Sequence, residues 1–334
     1  MNEPLIVAVT DREYRKAPNV FDLYLPDRIR SIEAPSDESA LADFIDEHAV
    51  RHVVTGVEPY CGRLYESLPR GAVIARYGVG FDGIDLAAAT AHGLFCTNTP
   101  GVLEVSVAEY TMTLILATAR YLPDVTDNTR NGSWQQIIGN ELRGKRLAII
   151  GCGQIGCNVA RIASVGFGMD VVGSEVNYVK ADHLKREFGF SDIVKTFAEA
   201  AEGADYVSLH IPSTPATRHF INARRLASMS SGSWLINTAR GAVVDENDLY
   251  EYLTAGKITG AALDVFEHEP YRPVTPERDL RTLSSVIMTP HVASSTHEAC
   301  IRTAERALRN IILAADSEYE TMDLLNPEVL RDEQ

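Results

Sequence analysis

Apolar residues in this chain gather in short runs that alternate with stretches of helical spacing. In the first hundred residues Leu5 to Val9, His52 to Val57, Ala72 to Ala75 and Leu94 to Cys96 read as strands. Between them Ser36 to His48 is amphipathic, with Leu41, Phe44 and Ile45 on one helical face. A long, mostly apolar helix is predicted over Ser106 to Tyr121, with Ser106 at its N-cap and Glu109 completing a capping box. Leu147 to Ile150, Met169 to Gly173, Ala204 to His210, Ser233 to Asn237, Lys257 to Phe266 and Ser285 to Thr289 follow as strands. Helical patterns interleave them: Ile155, Val159, Ile162 and Ala163 share a face, Asp245 caps a helix through Leu253, and a last helix runs from Thr296 to Asp316. Strand alternating with helix predicts an α/β protein of parallel sheets covered by helices.

Lys145 to Glu175 carries the most information. A strand, the turn Gly151-Cys152-Gly153-Gln154-Ile155-Gly156, a helix, a second strand and an acid form the dinucleotide-binding fingerprint. Gly151 permits the sharp turn, Gly153 presents no side chain to a pyrophosphate, and Gly156 lets helix and strand pack closely. The helix start then offers N–H groups to the phosphates. Glu175 lies 19 residues past Gly156, suited to a ribose 2′-hydroxyl and repulsive to a 2′-phosphate. Val176-Asn177 supplies no arginine beside it, so NAD is expected over NADP, with Lys180 the one charge that argues otherwise. A methyltransferase is the runner-up reading of such a loop. A second glycine-rich loop, Arg76 to Asp82, has no trailing acid; the N–H groups around Tyr77, Gly78, Val79 and Gly80 could hold a small carboxylate.

Arg240, Glu269 and His291 each follow a predicted strand of one sheet. In an open parallel sheet those ends border one crevice. Oxidation of a 2-hydroxy acid needs a base for the hydroxyl proton, and histidine titrates near working pH. A carboxylate beside it would orient the ring, and an arginine grips a substrate carboxylate with two hydrogen bonds. His210 competes with His291 as the base; His268 and His297 are weaker candidates. Asp264, inside a predicted strand, is a buried acid that requires a partner, with the nicotinamide carboxamide as the candidate.

Composition narrows the partners. At 334 residues the chain is too long for one core. A net charge of −15 argues against nucleic acid or an anionic membrane. No apolar run approaches the roughly 18 residues of a membrane span, and the start lacks a signal-peptide pattern. Five scattered cysteines read as reduced thiols of a cytoplasmic protein, without a metal framework, and Cys152 reads as a small filler. Tyr121 to Glu141, polar with a lone Trp134, is a candidate arm towards a second subunit.

With these residues assembled, the chain resembles the D-isomer-specific 2-hydroxyacid dehydrogenases from about Leu5 to Ile312. The resemblance is carried by ARYGVGFDGID (75 to 85), NTPGVLEVSVAE (98 to 109), ELRGKRLAIIGCGQIG (141 to 156), HIPSTPATRHFI (210 to 221), INTARGAVVDENDL (236 to 249), ALDVFEHEP (262 to 270) and TPHVASSTHEA (289 to 299). It implies two Rossmann-like or flavodoxin-like parallel-sheet domains with a cleft between them: a discontinuous substrate-binding domain over 1–104 and 294–334, and an NAD-binding domain over 105–293. It implies that Arg240 binds the substrate carboxylate, that His291 is the acid/base and that Glu269 is its partner. Tyr77, Gly78, Val79 and Gly80 would contact substrate. Gly151, Gly153, Gln154, Ile155, Gly156, Glu175, His210, Pro212, Thr238, Ala239 and Asp264 would contact NAD. A homodimer joined through the NAD domain is implied. The motifs are most similar to the phosphoglycerate dehydrogenase branch, but Thr55-Gly56-Val57-Glu58 stands where that branch often carries an arginine. Glyoxylate or hydroxypyruvate is therefore an equal expectation for the substrate. An NAD-sensing corepressor and a phosphite dehydrogenase are the alternatives on the same scaffold.

Overall fold

The structure is a computed structural model that describes residues 3–176 and 181–333; Asn177 and Lys180 lie outside the described residues. The chain divides into two compact units, Met1–Leu103 with Ser295–Gln334, and Glu104–Ser294.

The first unit holds β1 (Leu5–Thr10), β2 (Ile29–Ala34), β3 (His52–Thr55), β4 (Val73–Arg76) and β5 (Phe95–Thr97). Their order is β2-β1-β3-β4-β5, parallel throughout, the doubly wound pattern of flavodoxin-like sheets. β3 and β4 are buried along their whole length, which is why they read as unbroken apolar runs. Alternation along β1 serves both faces: Val7 and Val9 pack with Phe21, Leu308 and Ile311, while Ala8 packs with Leu41 and Ile45. Leu308 and Ile311 belong to the helix His297–Ala315, capped by Thr296, so the end of the chain completes the core begun at its start. Asn326, fully buried, fastens the tail: its Oδ1 accepts the Cys96 N–H at 2.8 Å and its Nδ2 donates to the Leu94 carbonyl at 2.9 Å.

The second unit holds β6 (Arg146–Ile150), β7 (Asp170–Ser174), β8 (Asp192–Val194), β9 (Tyr206–Leu209), β10 (Trp234–Asn237), β11 (Gly260–Leu263) and β12 (Val286–Met288). The order β12-β11-β10-β9-β6-β7-β8 reverses between β9 and β6, and every pairing is parallel. β6 is buried on both faces: Leu147 and Ile149 meet Met112, Ile115, Val159 and Ala160, and Ala148 and Ile150 meet Val172, Val207 and Leu235.

The structure departs from the sequence reading in places. The long helix begins at Glu104, because the turn at Gly101 (φ +79) closes early. Ser106 therefore lies buried within the first turn and Glu109 is exposed beyond it, so the pair is not a capping box. β11 ends at Leu263, which puts Asp264 just past the strand. Residues Ile162–Gly166 form a π turn at the end of the helix Gln154–Arg161. β2, unanticipated, is an edge strand whose Arg30 and Glu33 turn outward and hide the apolar alternation. Among the described residues no helix is long and apolar enough to cross a membrane.

His52 on β3 gives a pH test of the first unit. It is 2 % exposed, its Nδ1 accepts the Val73 N–H at 3.0 Å, and burial pushes its pKa down to about 3. A histidine with a depressed folded pKa is protonated first in the unfolded chain, so stability falls as pH drops below the ordinary value. We expect a loss of about 2 kcal/mol from His52 between neutrality and about pH 5. Urea midpoints of wild type and His52→Gln across that range would check it: the variant should show the shallower slope, and equal slopes would contradict the assignment.

Candidate active site

The glycine turn sits where the strand order reverses. Gly151 leaves β6 at φ +96, and a Cβ there would lie 2.5 Å from the His210 carbonyl oxygen. A Cβ at Gly156 would lie 2.2 Å from the Gly151 carbonyl oxygen, whereas nothing comes within 4 Å of one at Gly153. Gly153 is also the N-cap of the helix Gln154–Arg161, and no side chain caps it. The first-turn N–H groups thus face an open approach suited to a diphosphate. Gln154 is exposed there, and Ile155 is half-buried against the core. Glu175 follows β7, its Oε2 accepting the Cys152 N–H at 3.2 Å, so the acid and the turn adjoin. These residues fit a bound NAD. Cys152 is buried, and burial, with Glu175 nearby, pushes its thiol pKa up, as befits a packed and unreactive filler.

His210 follows β9 opposite Gly151. Its Nε2 meets the Ser208 hydroxyl at 2.9 Å, and burial pushes its pKa down to about 3. Such a ring stays neutral at working pH and meets a hydroxyl where His291 meets a carboxylate, which makes it the weaker candidate. Pro212 is exposed in the next turn, its carbonyl accepting the Thr217 hydroxyl at 2.6 Å.

Arg240 lies in the turn after β10. The buried Asn237 side chain knits that turn, donating to the Arg240 carbonyl at 2.9 Å and accepting the Ala239 N–H at 3.0 Å. Thr238 meets the Thr111 hydroxyl at 2.9 Å. Gly241 touches the turn after β11 so closely that a Cβ would lie 1.9 Å from the Phe266 carbonyl carbon. Asp264, fully buried, has its partners within the protein: the Thr289 hydroxyl at 2.6 Å, the Val292 N–H at 3.0 Å and the Ala293 N–H at 2.8 Å. Its carbonyl accepts the His291 N–H at 2.8 Å. The loop after β12 is thereby pinned with His291 at φ +55, a conformation uncommon outside glycine.

Glu269 and His291 then meet, Oε2 to Nδ1, at 2.7 Å, with side chains 29 % and 30 % exposed. Burial alone would raise the Glu269 carboxyl. The His291 hydrogen bond and charge, the Phe266 N–H and the nearby Arg240 charge outweigh it and hold the carboxyl below its ordinary range. Arg240, Glu269 and His291 are therefore gathered at one edge of the sheet of the second unit. His268 is half-buried in the same turn, and His297 opens the last helix, exposed, in the other unit.

In the first unit, the Tyr77 hydroxyl donates to the Cys300 carbonyl at 2.7 Å, and the Gly78 N–H meets the Thr99 hydroxyl at 3.0 Å. The side chain of Tyr77 is thus taken up in structure. The N–H groups of Val79 and Gly80 make no hydrogen bond among the described residues. Sequence reasoning missed His219, whose ring lies 2.8 Å from Glu267 and 3.3 Å from Asp245; nothing in its spacing announces those partners.

A family model described as D-isomer specific 2-hydroxyacid dehydrogenase, NAD binding domain, matches residues 112–293. A glyoxylate reductase of Korarchaeum cryptofilum is 35% identical over 306 residues, covering 90% of this chain and 89% of that one. A D-3-phosphoglycerate dehydrogenase of Methanocaldococcus jannaschii is 43% identical over 229 residues, covering 68% of this chain and 42% of that one. Among solved structures, a D-lactate dehydrogenase of Aquifex aeolicus complexed with NAD and lactic acid is similar at TM-score 0.82 and 28% identity, covering 96% and 99% of the two chains.

Gly241→Ala tests the contact that joins two of the strand-end turns. Backbone stands on both sides, so the new methyl has nowhere to go. We expect a loss of about 2 kcal/mol or more together with reduced turnover. Thermal unfolding followed by circular dichroism, with activity measured below the transition, would check both; a variant as stable and active as wild type would refute the close approach.

Proposed function

This chain belongs to the D-isomer-specific 2-hydroxyacid dehydrogenase family, and from that premise we propose that it reduces a short, unphosphorylated 2-keto acid of the glyoxylate or hydroxypyruvate kind. As an NAD-dependent oxidoreductase it interconverts 2-hydroxy and 2-keto acids. The observation that carries the catalytic reading is the 2.7 Å contact between Glu269 and His291 within reach of the Arg240 charge.

NADH, when bound, supplies the hydride to the carbonyl carbon. The residues do the rest. Glu269 accepts the Nδ1–H of His291, which leaves Nε2 to give a proton to the carbonyl oxygen in reduction and to take it back in oxidation. Arg240 grips the substrate carboxylate and so orients the reacting carbon. In the first unit, the N–H groups of Val79 and Gly80 are left open to a small carboxylate. Glu175 binds a ribose hydroxyl, which supports NAD over NADP.

Charge in the first unit supports an unphosphorylated substrate. Glu13 is buried near the end of β1 and Glu58 lies just past β3, its Oε2 buried without a hydrogen bond among the described residues. The cations beside them are already paired, Arg12 with Glu58 at 2.7 Å and Lys16 with Glu13 at 3.1 Å, and Thr55-Gly56-Val57-Glu58 offers a phosphate no arginine of its own. The relative from Korarchaeum, named a glyoxylate reductase, agrees with this choice. Dimerisation through the second unit is supported by Trp134 and Ile138, 88 % and 93 % exposed in the segment after the helix Leu122–Arg130.

Two experiments test the reading. NADH oxidation should be seen with glyoxylate or hydroxypyruvate and be much weaker with 3-phosphohydroxypyruvate; inactivity on every 2-keto acid would favour a binding protein instead. His291→Ala and Arg240→Ala should each lower kcat/KM by at least about 10² with NADH affinity kept, and wild-type rates in either would end the proposal. Separately, Glu175→Ala should relax the preference against NADPH, measured as the ratio of kcat/KM with the two cofactors; an unchanged ratio would remove Glu175 from that role.

A further inference from the structure

Beside the Glu269–His291 pair lies a second set of charged side chains that the chemistry above leaves unused. Glu246 opens the helix Glu246–Thr254 and is 5 % exposed. Its Oε1 accepts the Glu267 N–H at 2.7 Å, while the Glu246 N–H reaches the Oε1 of Glu267 at 3.4 Å. Two glutamates 21 residues apart thus clasp each other's backbone. The Oε2 of Glu267 meets His219 at 2.8 Å and Arg218 at 3.3 Å. Helix capping does not require this arrangement, because Asp245 already accepts the N–H groups of Asn247 and Asp248, each at 3.1 Å. The Oε2 of Glu246 is buried without a partner among the described residues, a cost that calls for a return elsewhere.

We infer that Glu246 is a positioning residue for the redox reaction: its carboxylate grips the turn after β11 through the Glu267 amide, sets the direction from which Glu269 reaches His291, and adds its charge behind that pair. The inference rests on the proposed roles of Glu269 and His291. The turn is short, Glu267 standing two residues before Glu269. With Asp264 holding one end, the Glu246 clasp leaves the 2.7 Å contact little room to drift. A displacement of about 1 Å in such a group costs up to about 10²-fold in rate.

The charge acts in the same direction. Glu246 faces Glu267, Asp245, Glu269 and Tyr271, with His219 and Arg218 beyond Glu267 and with His291 and Arg240 beyond Glu269. Burial, and then the three neighbouring carboxylates against the Glu267 amide, raise its carboxyl to about 7. Rising pH therefore creates a negative charge behind Glu269 near neutrality. That charge adds to the field the Glu269–His291 pair works in, so the pH dependence of keto-acid reduction should respond to Glu246.

The test is keto-acid reduction by NADH across pH in Glu246→Ala and Glu246→Gln. The alanine variant should lose at least about 10-fold in kcat with the NADH dissociation constant within about 2-fold of wild type. The glutamine variant, whose carbonyl oxygen still accepts the Glu267 amide, should recover to within about 3-fold near pH 6. Its pH profile should be displaced by about half a unit from that of wild type. A folded alanine variant with wild-type kcat overturns the inference, and so does a glutamine variant with an unshifted profile; if the alanine variant does not fold, the glutamine profile decides alone. A wild-type rate in His291→Ala would instead overturn the catalytic reading itself, whatever the Glu246 variants do.

Discussion

A carboxylate cut off from water must have its lone pairs met inside the protein, and at Asp264 that requirement shapes the site. Its side-chain donors come from Thr289, Val292 and Ala293, and its own carbonyl takes the His291 N–H. Every one of those groups lies on the stretch that leaves β12. Satisfying one buried acid therefore determines the path of that stretch, including the left-handed backbone at His291. Burial outweighs these bonds and raises the Asp264 carboxyl above its ordinary range, while Glu269, held by His291, moves the other way. Two acids five residues apart are thus set to opposite tendencies by their surroundings, one anchoring the loop and the other facing the ring.

The turns after β10 and β11 are joined by absence of a side chain. Gly241 lies against the Phe266 backbone with no space for a methyl group, so Arg240 and Glu269 are carried on turns that cannot separate without losing that packing. The protein is strongly acidic, at −15, and carboxylates crowd this neighbourhood at Asp245, Glu246 and Glu267. Arg240 stands in this neighbourhood as a positive group against a largely negative background.

Interior strands were legible because burial on both faces turns them into unbroken apolar runs, as in β3, β4 and β6. The glycine turn was legible because Gly151 and Gly156 each answer a separate steric demand, while Gly153 leaves the helix start open. Two of the four edge strands were not: β2 shows polar residues to solvent, and β8 opens on the exposed Asp192 and leaves only Ile193 and Val194 as an apolar signal. The pattern Ser-x-x-Glu misled at Ser106 because it signals a helix start only where the chain before it is non-helical, and here the helix had already begun at Glu104. Asp264 was read as a strand residue because Val265 and Phe266 prolong the apolar run; they are buried, yet lie past the end of the β11 ladder. His219 and Glu246 stayed hidden for a different reason. Their meaning comes from Glu267, which folding brings to them from 48 and 21 residues away, and no local period records such a meeting.

The return of the last helix to the first sheet has a consequence for synthesis. Val7 and Val9 pack with Phe21, made soon after them, and with Leu308 and Ile311, which lie on a helix made after the whole second unit. Glu104–Ser294 is one continuous stretch, all of it made before that helix. The first unit therefore cannot complete its core until every residue of the second has been translated, the reverse of the usual order in which the amino-terminal domain finishes first.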